Sequence, residues 1–391
     1  MPNLSPTFLK LLEESKKKYG ERMFRQVNTE TKISRIPTGF FQLDRLLGGG
    51  VAAGRITEIV GHRDSMKSTM ALCVVRSYLE RCAQCLSYQE ICQCPDGPET
   101  KVAVYVDVEH AIEEKHILDF GIDPGQLFLV QPPYGEIACE YAESLAAMPD
   151  VGLIIVDSLA ALTPSGELLE GPTNKKGYLD GVTLGIRARL IARMCRAMVT
   201  CIDPPKKTHP KTAVMINHLL LKIGPFPVNI APGGESQEYY ATTIMRLWPL
   251  KDKKLMLDSK GRKGKSDNDD DDDIPSPEGE ETMPLPTMGL GFFLEKHKIG
   301  KKHIGGEIRI ILENREGQCR FADPADEYDG VLMWAKKLGL VENTPGTWRI
   351  QGTDTKFLAQ KEVYAYWREH KNEYELIKQR IILAGDGIPY L

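Results

Sequence analysis

No apolar run in the 391 residues approaches the roughly 20 that a membrane-spanning helix requires, so insertion into a bilayer is not expected. The opening stretch, Met1 to Pro6, lacks the basic-then-apolar order of a secretory leader. The nine cysteines do not form the dense framework of a small disulfide-stapled chain. Together these absences point to a reducing cytoplasm. A strong excess of either charge is also missing. The net charge of −4 neither demands nor excludes nucleic acid until its distribution is considered. What is present, 42% hydrophobic and 27% charged residues, describes an ordinary globular chain long enough for one large core and a smaller satellite.

The charge is unevenly spread. Asp267 to Asp273 reads DNDDDDD, inside a Lys-, Gly-, Pro- and Glu-rich stretch over 251–286. Such a segment has too little apolar surface to offset its ordering entropy, and a disordered insertion is expected. Without those six aspartates the rest of the chain is slightly positive. The insertion reads either as a solvated loop between strands or as an acidic arm competing with DNA for basic surfaces.

Gly61-His-Arg-Asp-Ser65-Met66-Lys67-Ser68-Thr69 follows the apolar run Ile56–Val60 and precedes a helix-like stretch, Met70 to Arg81. A strand, a tight loop and a helix start are the geometry that holds a nucleoside triphosphate. Backbone N–H groups wrap the phosphates, Lys67 reaches the outer ones, and the Ser68 hydroxyl can ligate Mg²⁺. Met66 stands where glycine usually precedes the lysine, which narrows the backbone's options.

Three more β-branched runs end abruptly in polar residues: Val102–Val106 at Asp107 and Glu109, Leu153–Val156 at Asp157 and Ser158, and Ala213–Ile216 at Asn217 and His218. Helical stretches at 116–121, 137–147 and 183–200 lie between them. Alternation of this kind predicts an α/β fold with a mostly parallel sheet, whose ligands bind beyond the carboxyl ends of the strands. All four polar termini then crowd around the phosphates. Asp157 fits a carboxylate holding Mg²⁺, Glu109 a group that orients or deprotonates the attacking water, and Asn217 or His218 a sensor of the γ-phosphate. Taken singly, each is as readily a cap or turn residue; in this order they predict ATP hydrolysis.

The order of motifs resembles the RecA family of DNA-pairing recombinases. The resemblance rests on RIPTGFFQLDRLLGGGVAAGRITEIVG (Arg35 to Gly61), VDVEHAI (Val106 to Ile112), LIIVDSLAALTP (Leu153 to Pro164), MINHLLLKIG (Met215 to Gly224) and APGGESQEYYA (Ala231 to Ala241). It runs from about Ser5 to Gly385. Met66 and His218, where bacterial members typically carry Gly and Gln, resemble the phage UvsX-like branch, so the setting implied is a bacterial cell or a phage-infected host.

The resemblance implies an N-terminal oligomerisation segment (1–34), a RecA-type ATPase core (35–314) and a small C-terminal α/β domain (315–391) that captures duplex DNA. It implies binding to single- and double-stranded DNA and assembly into a helical homo-oligomeric filament. Glu113 and His116 fall on the nucleotide side, His116 at the family's adenine-stacking position. Lys296 and Lys298 match the pair that reaches a neighbour's γ-phosphate, the alternative being plain surface lysines. Tyr239 falls at an interfacial aromatic. The Phe8, Leu9, Leu11, Leu12 stripe of a helix over 6–19 would dock on the next subunit or, alternatively, on its own core. Two loops would face DNA, Leu168 to Gly181 with Lys175, Lys176 and Tyr178, and Lys222 to Gln237 with Lys222, Gly233 and Gly234. Arg189, Arg193 and Arg196 share one helix face between them. Contacts of Arg189, Arg196, Lys222, Gly233 and Gly234 with the phosphodiester backbone would be independent of sequence and sensitive to salt. The resemblance leads to the expectation of an acidic C-terminal tail, a character that the stretch Gly385 to Leu391 does not have. A hexameric motor of the same fold, or a mediator that binds ATP without pairing DNA, remain rival readings.

One feature is not implied by the family. Cys82, Cys85, Cys92 and Cys94 occupy 13 residues (82–94). A CxxC followed by CxC can give four thiolates to one tetrahedral Zn²⁺ in a knuckle inserted at 80–98; redox-sensitive thiols, or no ligand, are the alternatives. Cys73, Cys139, Cys195, Cys201 and Cys319 read as small core residues.

Overall fold

The computed structural model describes residues 4–20, 33–165, 185–202, 211–222, 228–250, 287–311, 324–344, 346–353 and 355–384. Lys175, Lys176, Tyr178, the 251–286 insertion and Cys319 lie outside the described residues.

Helix α1 (Pro6–Tyr19) carries its signals in the sequence. The Ser5 hydroxyl accepts the Phe8 N–H (3.3 Å), Pro6 opens the first turn, three lysines fill the last, and the Gly20 N–H closes on the Lys16 carbonyl. None of its residues is buried, and Phe8, Leu9 and Leu11 are at least 40% exposed. In this structure the stripe does not pack on its own core.

The body is an eight-stranded sheet. In chain order, β1 (Arg35–Ile36), α2 (Phe41–Leu47) and β2 (Val51–Ala52) lead into β3 (Ile56–Gly61) and α3 (Lys67–Leu79). Next come β4 (Val102–Asp107), α4 (Glu114–Asp119), β5 (Leu127–Val130), α5 (Gly135–Ala147), β6 (Val151–Asp157) and α6 (Ile186–Ile202). Then follow β7 (Thr212–His218), a hairpin of β8 (Leu220–Lys222) and β9 (Val228–Ile230), and α7 (Ser236–Tyr240). Strands β10 (Thr243–Pro249), β11 (Thr287–His297) and β12 (Ile304–Ile311) complete the core. The sheet order is β12-β11-β10-β3-β7-β6-β4-β5; the last six run parallel, and β11 and β12 extend the edge antiparallel. The mostly parallel sheet expected from alternating strands and helices is present. The antiparallel extension was not legible, because nothing in its residues fixes which edge it joins.

Strand periodicity divides the apolar residues between two layers. Ile59, Tyr105, Leu153, Ile155, Val214 and Ile216 pack with α3, whereas Ile56, Val60, Val104, Ile154, Ala213 and Met215 pack with α5 and α6. Nearly continuous hydrophobic strands follow from covering both faces. Cys73, Cys139 and Cys195 are buried in these layers and Cys201 packs at the margin.

A third core gathers α8 (Pro324–Lys337), the three-stranded sheet β13 (Val341–Thr344), β14 (Thr347–Ile350) and β15 (Lys356–Phe357), α9 (Gln360–Glu369) and α10 (Lys371–Ala384). Trp367 is its largest fully buried side chain. Phe41 of α2 enters this core and the Arg45 guanidinium stacks on Trp334 at 3.9 Å, which fastens the satellite to the body.

Candidate functional site

The parallel strands bring their carboxyl ends level. Gly61 pairs with His218 and Asp107 with Asp157 in register. Between β3 and α3 the chain makes a loop whose first glycine is required by space, since a Cβ on Gly61 would sit 2.3 Å from Ser65 Oγ and 2.6 Å from the Leu247 carbonyl. Met66 takes the left-handed conformation (φ 58°, ψ 30°) that glycine adopts without strain. For another L-residue this costs about 1–2 kcal/mol. The Met66 side chain packs against the α3-side core and its sulfur accepts from Thr69 Oγ1 at 3.8 Å. The departure from glycine thus leaves the phosphate-loop backbone in place.

Lys67 is buried; its Nζ donates to the His62 carbonyl (2.7 Å) and Ser65 Oγ (3.3 Å). Burial lowers its pKa, against the pull of Asp157, Glu109 and Asp64. Ser68 Oγ donates to Asp157 Oδ2 at 2.6 Å, and Tyr105 OH donates to the same oxygen at 2.6 Å. Burial raises the Asp157 carboxyl above the usual range despite these two bonds. A hydroxyl and a carboxylate in contact at a helix N-terminus form the donor set expected of Mg²⁺ on a triphosphate. Tyr105 was missed by sequence reasoning, although its place on the same strand face as Asp107 was readable.

Glu109 lies beside this pair. Its Oε1 accepts from Ser158 Oγ (2.5 Å) and from His218 Nε2 (2.7 Å). The His218 bond, then Ser158 and the Lys67 charge, hold the Glu109 carboxyl down at about 2. Asp107 shapes the loop carrying Glu109 by accepting from the Ala111 and Ile112 N–H groups and Gln131 Nε2.

Asn217 and His218 divide. Adjacent on β7, they point to opposite sides of the sheet, and His218 shares the α3 side with Asp157. Asn217 is fully buried on the other side, where its Nδ2 donates to Glu58 Oε1 and to the Pro232 carbonyl, both at 3.0 Å. Of the two residues expected to sense the γ-phosphate, the structure brings His218 to the phosphate-loop side. Asn217 instead joins β3 to the loop carrying Gly233 and Gly234. Glu58, a lone carboxylate in a wholly buried strand, is pushed up to about 7 by burial.

Glu113 and His116 are exposed at the start of α4, with His116 edge-on to Phe120 at 5.2 Å. Along α6, Arg189, Arg193 and Arg196 are all exposed, and Arg193 in addition pairs with Glu143 of α5 at 3.3 Å. Gly233 (φ 111°) and Gly234 (φ 79°) lie on α6: added Cβ atoms would meet Ile191 Cδ1 at 2.6 Å and Ala188 Cβ at 3.3 Å. The glycine pair and the arginine helix therefore form one surface. Lys222 ends β8, and the same hairpin exposes Leu220, Leu221 and Ile230, an apolar group that sequence reasoning did not single out.

Lys296 and Lys298 cap α7 by donating to the Glu238 and Tyr239 carbonyls. They stand at the other end of the sheet from the phosphates. In register, Lys296 faces Ile244, which faces Glu58, three residues before Gly61. Cys82, Cys85, Cys92 and Cys94 are brought together, all four sulfurs within 4.8 Å of one another.

Similarity to known proteins agrees with this geometry. The model of the RecA N-terminal domain matches residues 8–266. Protein RecA of Aquifex aeolicus is 28% identical over 366 residues, covering 92% of this chain and 87% of that protein. Protein RecA of Nautilia profundicola is 35% identical over 214 residues, 54% of this chain and 53% of that one. With strand ends, phosphate loop and chain-long similarity in agreement, this chain belongs to the RecA family of DNA recombination and repair proteins.

Proposed function

We propose that the chain is a DNA-dependent ATPase that assembles head to tail into a helical filament on single-stranded DNA and pairs it with a homologous duplex. The observation that carries this reading is the separation of phosphate loop and lysine pair within one molecule. Gly61 closes the carboxyl end of β3, while Lys296 and Lys298 lie toward its amino end, about 10 Å or more back along the strands. The lysines therefore stand ready for a neighbour's phosphates rather than their own. A contact between unlike surfaces that does not close into a ring propagates as a helix. The exposed apolar stripe of α1 supplies a second contact of the same kind.

Within the site, Lys67 and the backbone of residues 61–69 would hold the phosphates and Ser68 with Asp157 the Mg²⁺. Glu109 would orient the attacking water, with His218 reporting on the γ-phosphate through its bond to Glu109. Two cations from the next subunit would stabilise charge developing in the transition state. Arg189, Arg196 and the amides of Gly233 and Gly234 form the proposed phosphodiester surface; Lys222, Lys175 and Lys176 are further candidate cations by their place in the sequence alone. None of these groups reads a base edge, so homology would be tested by base pairing alone.

The deciding experiment is joint-molecule formation by the purified protein with ATP, single-stranded DNA and homologous supercoiled duplex, alongside its ATPase rate. DNA-stimulated hydrolysis with joint molecules is expected. Hydrolysis without joint molecules, from closed rings in electron micrographs, would point to a motor. ATP binding without stimulation by DNA would point to a mediator.

A further inference from the structure

The C-terminal end of α3 carries a structure that ATP chemistry does not use. After Leu79 the chain makes two tight turns before β4. In the first, the Cys82 N–H donates to the Ser87 carbonyl and the Leu86 N–H to the Cys82 carbonyl, with Leu86 left-handed (φ 56°) just after Cys85. In the second, the Gly97 N–H closes on the Cys94 carbonyl, with Gly97 at φ 83°. Each turn presents two thiols to the other.

We propose that Cys82, Cys85, Cys92 and Cys94 bind one Zn²⁺ in a closed tetrathiolate site that clamps the end of the phosphate-loop helix to the segment entering β4.

The spacing of the sulfurs identifies the ligand. Cys82 and Cys94 Sγ are 3.9 Å apart, Cys85 and Cys92 Sγ 3.7 Å. Four thiolates about 2.3 Å from a central zinc form a tetrahedron with edges of about 3.8 Å. Disulfides would require sulfurs about 2.05 Å apart. Backbone amides supply the outer shell that such sites use: the Glu99 N–H donates to Cys82 Sγ (3.3 Å) and the Cys94 N–H to Cys92 Sγ (3.4 Å).

Apart from the Arg81 stack on Tyr88, a few backbone bonds and Leu86 at the core margin, the segment has little packing of its own. Among the described residues of 80–99, only Arg81, Cys82 and Ala83 are buried. Two tight turns with so little apolar burial gain most from a cross-link, and metal binding there would add folding free energy. With four protein ligands no coordination position stays open, so the site is structural rather than catalytic. It lies a helix length, about 20 Å, from Lys67.

The test is elemental analysis of the full-length protein purified under reducing conditions without chelator. About one zinc per chain is expected, falling to near zero in the Cys85→Ser/Cys92→Ser double variant. Cobalt exchange should give the thiolate charge-transfer and intense tetrahedral bands of a four-sulfur site. Stripping zinc with a chelator should lower the melting temperature while leaving the ATPase rate per folded chain within about twofold below the transition. If the double variant fails to fold, metal content and thiol reactivity of the unaltered protein still decide. Metal-free protein with four freely reacting thiols, a mass showing two disulfides, or iron in place of zinc would each overturn the proposal.

Discussion

The two ends of α3 are built by opposite strategies. At its first turn, groups from β3, β4, β6 and β7 converge, so that Asp157 meets Ser68 across 89 positions of sequence and His218 meets Glu109 across 109. At its far end, four thiols converge from within 13 residues (82–94). The first arrangement exists only when the whole sheet has formed; the second needs two local turns and, in our proposal, an ion. A site drawn from distant strands inherits the rigidity and cooperativity of the core. A site drawn from neighbouring residues can be lost without dismantling its surroundings.

That contrast can be broken most severely at Lys67. Lys67→Ala should cut ATP hydrolysis to below about 1% of the original rate while leaving metal content at the cysteines unchanged. A retained rate would remove the phosphate loop from its assigned role. Next in size, Glu109→Gln should lower kcat about 10²–10⁴-fold with little change in KM for ATP. Steady-state kinetics checks this, and a change confined to KM would reassign Glu109 to binding.

A third prediction concerns Glu58, buried between the sheet and the loop of Gly233 and Gly234. The unfolded chain releases this proton near the ordinary carboxylate value, whereas burial holds it in the folded state to about 7. The folded state therefore binds more protons between those values, and stability falls as pH rises through that window. Glu58→Gln keeps an acceptor for Asn217 and should flatten this slope, stabilising the protein by up to about 3 kcal/mol at pH 8. Denaturant melts at pH 5 and pH 8 read the difference, and parallel curves for the two proteins would contradict it. The smallest effect is expected at the DNA surface. Arg189→Ala and Arg196→Ala should each reduce the salt slope of single-stranded DNA binding by about 1, equally for all sequences. Fluorescence anisotropy across a salt series measures it; an unchanged slope would take those arginines off the phosphodiester path.

The same contrast explains what the sequence disclosed. The cysteine cluster was legible from spacing alone because its geometry is local. The carboxyl-end site was legible from order, since each β-branched run ended in a polar residue and parallel strands must align those ends. Side-chain direction was harder. The one-residue alternation that separates Asn217 from His218 depends on which face α3 covers, and no residue of β7 reveals that. Tyr105 and Glu58 were passed over because each sits inside a run that reads simply as strand. The pairing of Arg193 with Glu143 of α5 was not legible either, since it depends on how two helices pack.

The tip of β7 carries two oppositely directed connections. On one side an imidazole is tied to the acid proposed to orient water; on the other, an amide is tied to the Pro232 carbonyl that precedes the paired glycines. A tug on the first connection as phosphate departs would twist the second, because both hang from consecutive Cα atoms of one rigid strand. Fuel consumption and release of the polynucleotide would then be a single motion read from two sides.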